Sequence, residues 1–108
     1  MINMAVNHSG PPGDRVFEAL GSLPRRQMLS FLAQTALSTA ELAEQFAMSA
    51  PAVSRHLAVL QRAGLVSSER EGQRVLYRLN RDVLLGALAR LASEVDGPLR
   101  RAPPREAI

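Results

Sequence analysis

Residues 49–66 read SAPAVSRHLAVLQRAGLV and combine the signals of a short amphipathic helix. Ser49 is a preferred N-cap residue, and Pro51 is tolerated in a first helical turn because its missing N–H would have no partner there. Gly64 can end the helix. The stretch predicts a helix over residues 50–63. Apolar residues recur at i, i+4 and i+7 and so form one face of this helix, which consists of Val53, Leu57 and Leu60.

The other side of this helix carries small and basic residues. A helix that enters the major groove of DNA touches base edges with its N-terminal residues and needs small neighbours for close approach. A lone histidine in a helix also has a structural interpretation, as a boundary residue. The residues predicted to face outward toward DNA are the N-cap Ser49, Ala50, Ala52, Ser54, Arg55 and His56.

Three shorter helices are predicted before this stretch. Residues 14–20 form an amphipathic segment, and Pro24 suits the first turn of a second helix. Ser38 and Glu41 have the spacing of a capping box, which opens a third helix. A tight connection at Ala47 leads from the third helix into the fourth.

The periodicity of apolar residues changes from helical to alternating after Gly64. Residues 65–70 and 74–79 are predicted to form two short strands, joined by a turn that contains Gly72. Glycine suits such a turn because it adopts a positive φ without steric cost. The segment 65–79 is therefore predicted to be a β-hairpin.

A last helix is predicted over residues 81–95, capped by Asn80. Its apolar stripe consists of Leu84, Leu88, Leu91 and Val95. The resulting order, α-α-α-α-β-β-α, predicts a mainly α fold with a small β-hairpin (α+β), arranged as a winged helix-turn-helix. One domain is expected over residues 13–96. Residues 1–12 and the Arg/Pro-rich residues 97–108 are expected to be disordered tails.

The charge pattern favours an anionic partner. All 13 basic residues are arginine, and the net charge is +3. Arginine presents a planar fork that suits phosphate and guanine, and a hairpin beside a groove-binding helix can reach phosphates or the minor groove. Double-stranded DNA is therefore the predicted partner. The predicted contacts from the hairpin are Arg70, Gln73, Arg74 and Arg78.

The last helix carries more apolar residues than a single stripe requires. The surplus would be buried best against a second copy of the chain, with help from the first helix. A helix buried on two sides within a monomer is the alternative. The predicted homodimer interface consists of Val16, Leu20, Leu84, Leu85, Leu88, Leu91 and Val95.

Composition argues against several classes of function. The chain has no Cys and only two His, so neither a metal site nor a cofactor is predicted, since a transition metal needs three or four converging ligands. The sequence contains no nucleophile–base constellation and no Gly-rich phosphate loop, so an enzyme is not expected. The N-terminus lacks the features of a signal peptide, and no segment is long enough to span a bilayer. A cytoplasmic location is expected.

Residues 23–80 resemble the ArsR/SmtB family of bacterial winged-helix repressors. The resemblance rests on LPRRQMLSFL (23–32) and on SxPAVSRHLxVLxxAGLV followed by RxGxRVxYxL. It implies that the hairpin arginines hold the DNA backbone. It also implies a homodimer, built by the first and last helices, that sets two recognition helices one DNA turn apart over an inverted repeat. The residues that it implies to face DNA are Ser49, Ser54, Arg55 and His56.

Two features of that family are missing from this sequence. Many relatives sense metals through a Cys-x-Cys pair at the start of the third helix, where this chain has Ser38 and Ala40. Others use Asp and His on the last helix, and residues 81–95 contain no His. The comparison of these positions predicts a repressor that does not respond to metals.

Two functions stay open on the residues alone. The first is a sequence-specific transcriptional regulator. Its control stays open between a small molecule in the dimer interface, a protein antagonist and expression level alone. The second is a winged-helix protein–protein interaction module with little specific DNA binding, which would be expected to show large apolar anchors on the outer face of the fourth helix. The roles of Arg25 and Arg26 are also open between a phosphate contact and an ion pair with Glu18 or Glu41.

Overall fold

The computed structural model describes residues 12–101, with side chains described for residues 14–96. The elements follow the predicted order α-α-α-α-β-β-α. They are α1 (Pro12–Ala19), α2 (Leu23–Leu32), α3 (Thr39–Phe46), α4 (Ala50–Arg62), β1 (Val66–Glu71), β2 (Arg74–Leu79) and α5 (Arg81–Arg101). Within residues 12–101, none of the helices has both the length and the apolar character that crossing a membrane would require.

The caps that the sequence predicted for α3 and α4 are present. The Ser38 Oγ accepts from the Glu41 N–H at 3.2 Å, and the Ser38 N–H donates to Glu41 Oε1 at 2.8 Å, which completes a capping box. The Ser49 Oγ accepts from the Ala52 N–H at 3.2 Å. Each bond satisfies a backbone N–H that has no partner within its own helix, and so fixes where the helix begins.

The turn between α3 and α4 is tight and uses a left-handed residue. Ala47 has φ 54° and ψ 39°, and its N–H donates to the Ala43 carbonyl. A non-glycine residue in this conformation carries a cost of roughly 1–2 kcal/mol. The packing of α3 and α4 against one core holds the turn in this conformation.

The core is centred on α4. Its inward residues Val53, Leu57 and Leu60 are almost fully buried, as the apolar spacing predicted. They form one cluster with residues from each of the preceding helices and from the start of the hairpin. The other members of this cluster are Val16, Ala19, Met28, Leu29, Leu32, Leu42, Ala63, Leu65, Val66 and Ala87.

The hairpin pairs β1 and β2 in antiparallel register, from Val66 opposite Leu79 to Glu71 opposite Arg74. Gly72 in the turn has φ 69°. The other edge of β2 is joined to the segment before α3, because Leu37 and Tyr77 exchange two backbone hydrogen bonds, at 2.8 and 3.1 Å. β2 therefore lies between β1 and the start of the helix-turn-helix.

The predicted strand 65–70 is shifted by one residue. The Leu65 N–H donates back to the Leu60 carbonyl at 2.9 Å, so Leu65 takes part in the C-terminal cap that follows α4. Gly64 has φ 78°, which makes this reversal possible. Strand pairing begins only at Val66.

The last helix is longer than the predicted 81–95. It continues to Arg101 through Gly97 and Pro98, where the sequence predicted a tail. A proline inside a helix removes its own N–H bond and crowds the preceding turn, but it does not force the chain to leave the helical path. The remaining parts of the predicted tails, residues 1–11 and 102–108, lie outside the described residues.

Asn80 joins α4, the hairpin and α5. Its Nδ2 donates to the Gly64 carbonyl at 2.8 Å, its backbone N–H donates to the Leu65 carbonyl at 2.8 Å, and its Oδ1 accepts from the Ser67 hydroxyl at 3.2 Å. It was predicted to cap α5. It does precede α5, but its side chain is used to hold the end of α4 against the hairpin.

Two arginines close the corner between α1 and α2. Arg25 Nε donates to the Ala19 carbonyl at 2.7 Å, and its Nη2 donates to the Glu18 carbonyl at 3.3 Å. The Nη1 of Arg26 donates to the Leu20 carbonyl. Carbonyls at the end of a helix have no partner within it, and cations there are favourable. Among the described residues neither arginine forms the predicted ion pair with Glu18 or Glu41, and the phosphate contact stays a prediction.

His56 of α4 packs against this corner. Its Nδ1 lies 3.4 Å from Arg25 Nη1, and the ring is half-buried. Burial lowers the pKa of His56 below its usual value of 6.5, and the positive charges of Arg25 and Arg55 lower it further. The neutral imidazole is therefore the form that the folded chain favours.

The Asn80 junction predicts a measurable loss of stability. Asn80→Ala removes the bond to the partly buried Gly64 carbonyl, so the free energy of unfolding should fall by about 1–3 kcal/mol. Ser67→Ala removes only the exposed bond to Asn80 and should cost less than about 1 kcal/mol. Urea denaturation checks both values. Equal losses for the two variants would contradict the role of the Gly64 contact.

The His56 environment predicts a pH dependence of stability. As the pH falls below 6.5, the unfolded chain takes up a proton at His56 before the folded chain does, so the free energy of unfolding falls until the folded ring also titrates. His56→Gln should remove this component. The check is urea denaturation at about pH 7.5 and about pH 5.5 for both proteins. An identical decrease in the two proteins would contradict it.

Candidate nucleic-acid interface

The outer face of α4 is the most distinctive surface of the helix-turn-helix. At 100° per residue, Arg55 and Arg62 lie on the same side as Pro51, directly opposite the buried Leu57 and Leu60. The side chains of Pro51, Arg55 and Arg62 are exposed. The helix thus shows a basic stripe to solvent because its apolar stripe is fixed to the core.

The two flanks of α4 differ in exposure. Ala50 and Ser54 lie on one flank and are exposed, as predicted. Ala52 and His56 lie on the other flank, which turns toward the α1–α2 corner. They are half-buried and so less exposed than predicted. The exposed Ser49 uses its hydroxyl to cap the helix. His56 has a structural contact in the free protein and presents only part of its ring to solvent.

Two of the hairpin arginines are engaged in ion pairs. Arg74 Nη2 lies 3.2 Å from Glu41 Oε1, and Arg78 Nε lies 3.3 Å from Glu69 Oε1. All four side chains are exposed or half-exposed, so both pairs are accessible to solvent and salt.

Three other arginines of α4 and the hairpin have no such partner. Between residues 14 and 96, the side chains of Arg55, Arg62 and Arg70 make no hydrogen bond or ion pair, and all are exposed. Gln73 at the hairpin turn is also exposed. These guanidinium groups retain their full donor capacity for an anion.

Arg62 was missed by the sequence analysis. It lies seven residues after Arg55, a spacing that returns to the same helical face. The signal was therefore present in the periodicity of basic residues. Arg62 lies outside the N-terminal half of α4, which is where base-contacting residues of a recognition helix are expected.

The predicted dimer residues separate into buried and exposed groups. Val16 is only 3% exposed and belongs to the core, so the prediction that it forms the interface is wrong: the single chain already buries it. Leu20 and Leu84 are half-buried against the same core. The remaining four are exposed on α5: Leu85 (53%), Leu88 (42%), Leu91 (43%) and Val95 (50%).

A groove of about 370 Å³ lies between α2 and α5 beside these leucines. Arg26 and Arg81 are polar residues of its lining. Arg81 Nη2 donates to the Ala33 carbonyl at 3.2 Å. Its apolar lining includes Leu20, Leu29, Leu79, Leu84, Leu85 and Leu88. Among the described residues, no group of three or more His, Cys, Asp or Glu side chains could hold a metal ion.

Comparison with known proteins identifies relatives of this chain. The family described as "Bacterial regulatory protein, arsR family" matches residues 24–68. The transcriptional repressor SdpR of Bacillus subtilis is 37% identical over 71 residues, which cover 66% of this chain and 79% of SdpR. The HTH-type transcriptional regulator KmtR of Mycobacterium tuberculosis is 45% identical over 67 residues, which cover 62% of this chain but only 52% of KmtR.

The fold is shared with solved structures. One is the homodimeric winged helix-turn-helix DNA-binding domain (fragment 1–100) of a possible ArsR-family transcriptional regulator from Mycobacterium bovis. It matches with a TM-score of 0.66 and 33% identity, over 80% of this chain and 82% of that one, which confirms the predicted fold class. These relatives are named as transcriptional regulators, in agreement with the prediction that the chain is not an enzyme. The chain belongs to the ArsR family of bacterial regulatory proteins, transcriptional regulators with a DNA-binding winged helix-turn-helix fold.

Proposed function

We propose that this regulator is a homodimeric repressor that inserts α4 into the major groove of an inverted-repeat operator and sets the β1–β2 wing on the adjacent backbone or minor groove. The observation that carries the proposal is the outer face of α4, where Arg55 and Arg62 are exposed and unpaired among the described residues. A surface of this kind has no role in holding the fold. It is suited to an anionic partner.

The composition of that face divides recognition between its residues. Ala50 and Ser54 are small, so the helix can approach base edges closely at its N-terminal half. Arg55 directly follows Ser54 and has no hydrogen bond or ion pair among the described residues, and arginine pairs with the O6 and N7 of guanine through two bonds. Arg62 at the end of the helix and Arg70 on the wing are placed for phosphates.

The exposed apolar side of α5 supports the homodimer. Leu85, Leu88, Leu91 and Val95 project from one helix with no cover in the single chain, beside the groove between α2 and α5. Burying them against a second copy removes this apolar surface from water. A two-fold axis then presents two copies of α4 to the DNA, which matches an inverted repeat. The relative from Mycobacterium bovis is itself described as homodimeric.

The mode of control follows from residues the chain lacks. With Ser38 and Ala40 at the start of α3 and no cysteine in the sequence, the protein has no thiolate with which to bind a metal. We infer a repressor that does not respond to a metal. The transcriptional repressor SdpR supports repression as the activity.

The alternative of a protein-interaction module finds no support on α4. Within the described part of the chain, the large exposed apolar residues lie on α2 and α5, and none lies on α4. A docking helix would need such anchors, since they supply most of the binding energy of a protein interface. We therefore propose DNA binding, and not protein docking, as the function of α4.

The role of Arg55 can be tested with a charge-matched control. Arg55→Ala should weaken binding to the operator by about 1–3 kcal/mol and weaken binding to random DNA much less, because a base contact is lost. Arg90→Ala removes an exposed arginine from α5 and should change neither. Fluorescence anisotropy with DNA from upstream of the protein's own gene, compared with shuffled DNA, measures both affinities. Equal losses on the two DNAs would rule out base reading by Arg55.

The dimer can be tested with a pair of leucine variants. Leu88→Glu places a charge in the proposed interface, so sedimentation velocity at micromolar concentration should show a monomer. Leu23→Glu introduces the same charge at an exposed leucine of α2 and should leave the dimer intact. A monomeric wild-type protein would refute the two-fold model of operator binding.

A further inference from the structure

The ion pair between Glu41 and Arg74 links the helix-turn-helix to the wing. Arg74 Nη2 lies 3.2 Å from Glu41 Oε1 and 3.3 Å from Glu41 Oε2. The same Glu41 Oε1 accepts the Ser38 N–H at 2.8 Å. One carboxylate therefore serves both the cap of α3 and the first residue of β2.

The position of this pair follows from the topology. Leu37 is bridged to Tyr77, so the residues that follow Leu37 run beside β2 in the opposite direction. Glu41, in the first turn of α3, thereby reaches Arg74 next to the wing turn. In helix-turn-helix complexes the first of the two helices crosses the DNA backbone. The pair thus lies where the two elements that approach phosphates meet.

The carboxylate is charged at neutral pH. The hydrogen bond from the Ser38 backbone N–H lowers the pKa of Glu41 below its usual value of 4.5 and outweighs the opposing effect of desolvation. The charge of Arg74 and the Ser38 hydroxyl lower it further by smaller amounts. The Glu41 side chain is 41% exposed and that of Arg74 is 56% exposed. An exposed pair of this kind contributes little to stability, so its partners exchange readily.

We propose that Glu41 acts through Arg74 as a positioning residue that weakens the wing's hold on the DNA backbone, because its carboxylate competes with a phosphate for the same guanidinium. The inference rests on the proposed DNA-binding function. An arginine already neutralised by a carboxylate releases fewer counterions when it meets DNA. Glu41 therefore lowers affinity for all sequences alike and leaves base reading to α4.

The Glu41→Gln variant separates the ion pair from the helix cap. Glutamine keeps a side-chain oxygen that can accept the Ser38 N–H, and it is accepted in a capping box. It removes the charge that holds Arg74. An unchanged urea midpoint establishes that α3 and the fold are intact in the variant.

The salt dependence of DNA binding is the decisive measurement. Two additional backbone contacts per dimer should steepen the slope of log K against log salt by about 2 in Glu41→Gln. The affinity advantage of the variant over wild type should therefore shrink by about tenfold between about 50 and 200 mM salt. The advantage should be the same on operator and shuffled DNA. A purely structural effect on α3 would not change this slope.

Two controls test whether the effect of Glu41 on the salt slope is exerted through Arg74. Glu44→Gln removes the same charge from an exposed position of α3 that has no arginine partner among the described residues, and should leave the slope nearly unchanged. In an Arg74→Ala background, Glu41→Gln should have no effect on the slope. Equal steepening in Glu44→Gln, or persistent steepening without Arg74, overturns the proposal.

Failure of this inference can be distinguished from failure of the proposed function. If the wild-type protein binds neither the operator nor the shuffled DNA, the proposed DNA-binding function is refuted, and this inference falls with it. Wild-type protein that binds with a clear salt dependence, together with an unchanged slope in Glu41→Gln, overturns only the role given to Glu41.

Discussion

Burial of one side of α4 is the constraint on which the rest of this molecule depends. Val53, Leu57 and Leu60 are held in a core that all the preceding helices help to build, so the helix cannot rotate about its axis. The opposite side is thereby committed to solvent. Its chemistry is free of any packing requirement, and the sequence places alanine, serine and arginine there. The face of α4 that is available to a partner is therefore set by which face the core buries.

The arginines of this chain differ in what their side chains contact. Arg25, Arg26 and Arg81 donate to carbonyls at the ends of α1 and α2, where they complete hydrogen bonding that the helices leave open. Arg55, Arg62 and Arg70 have no hydrogen bond or ion pair within residues 14–96. Arg74 and Arg78 belong to neither group, because each is paired with an acidic neighbour on the surface. A count of basic residues would have treated all of these side chains alike.

The sequence predicted the elements that are set by local rules. The capping box of α3, the N-cap of α4 and a turn that contains Gly72 depend on residues only a few positions apart, and each is present in the structure. The turn has two residues and not the predicted three, because Glu71 pairs with Arg74. The outward direction of Arg55 followed from helical periodicity alone. The hairpin and the order of the elements followed from the change of apolar periodicity after Gly64.

The errors arose where distant residues meet. His56 and Arg25 are 31 positions apart, and no periodicity shows that α4 lies against the α1–α2 corner. Val16 is on the apolar side of a short helix, and a pattern cannot distinguish a side facing the core from a side facing a second copy. Arg74 and Glu41 meet only because β2 pairs with the segment before α3. Tertiary contact decides these cases.

The last helix has a consequence for how this protein folds. Ala87 is the final residue of α5 that the single chain buries, and every described side chain from residue 88 to 96 is exposed. An isolated helical segment of that length is marginal in water. If a second copy supplies the missing contacts, then association provides part of the free energy that keeps the second half of α5 ordered. Folding and assembly then become one equilibrium, and the melting temperature rises with protein concentration by mass action.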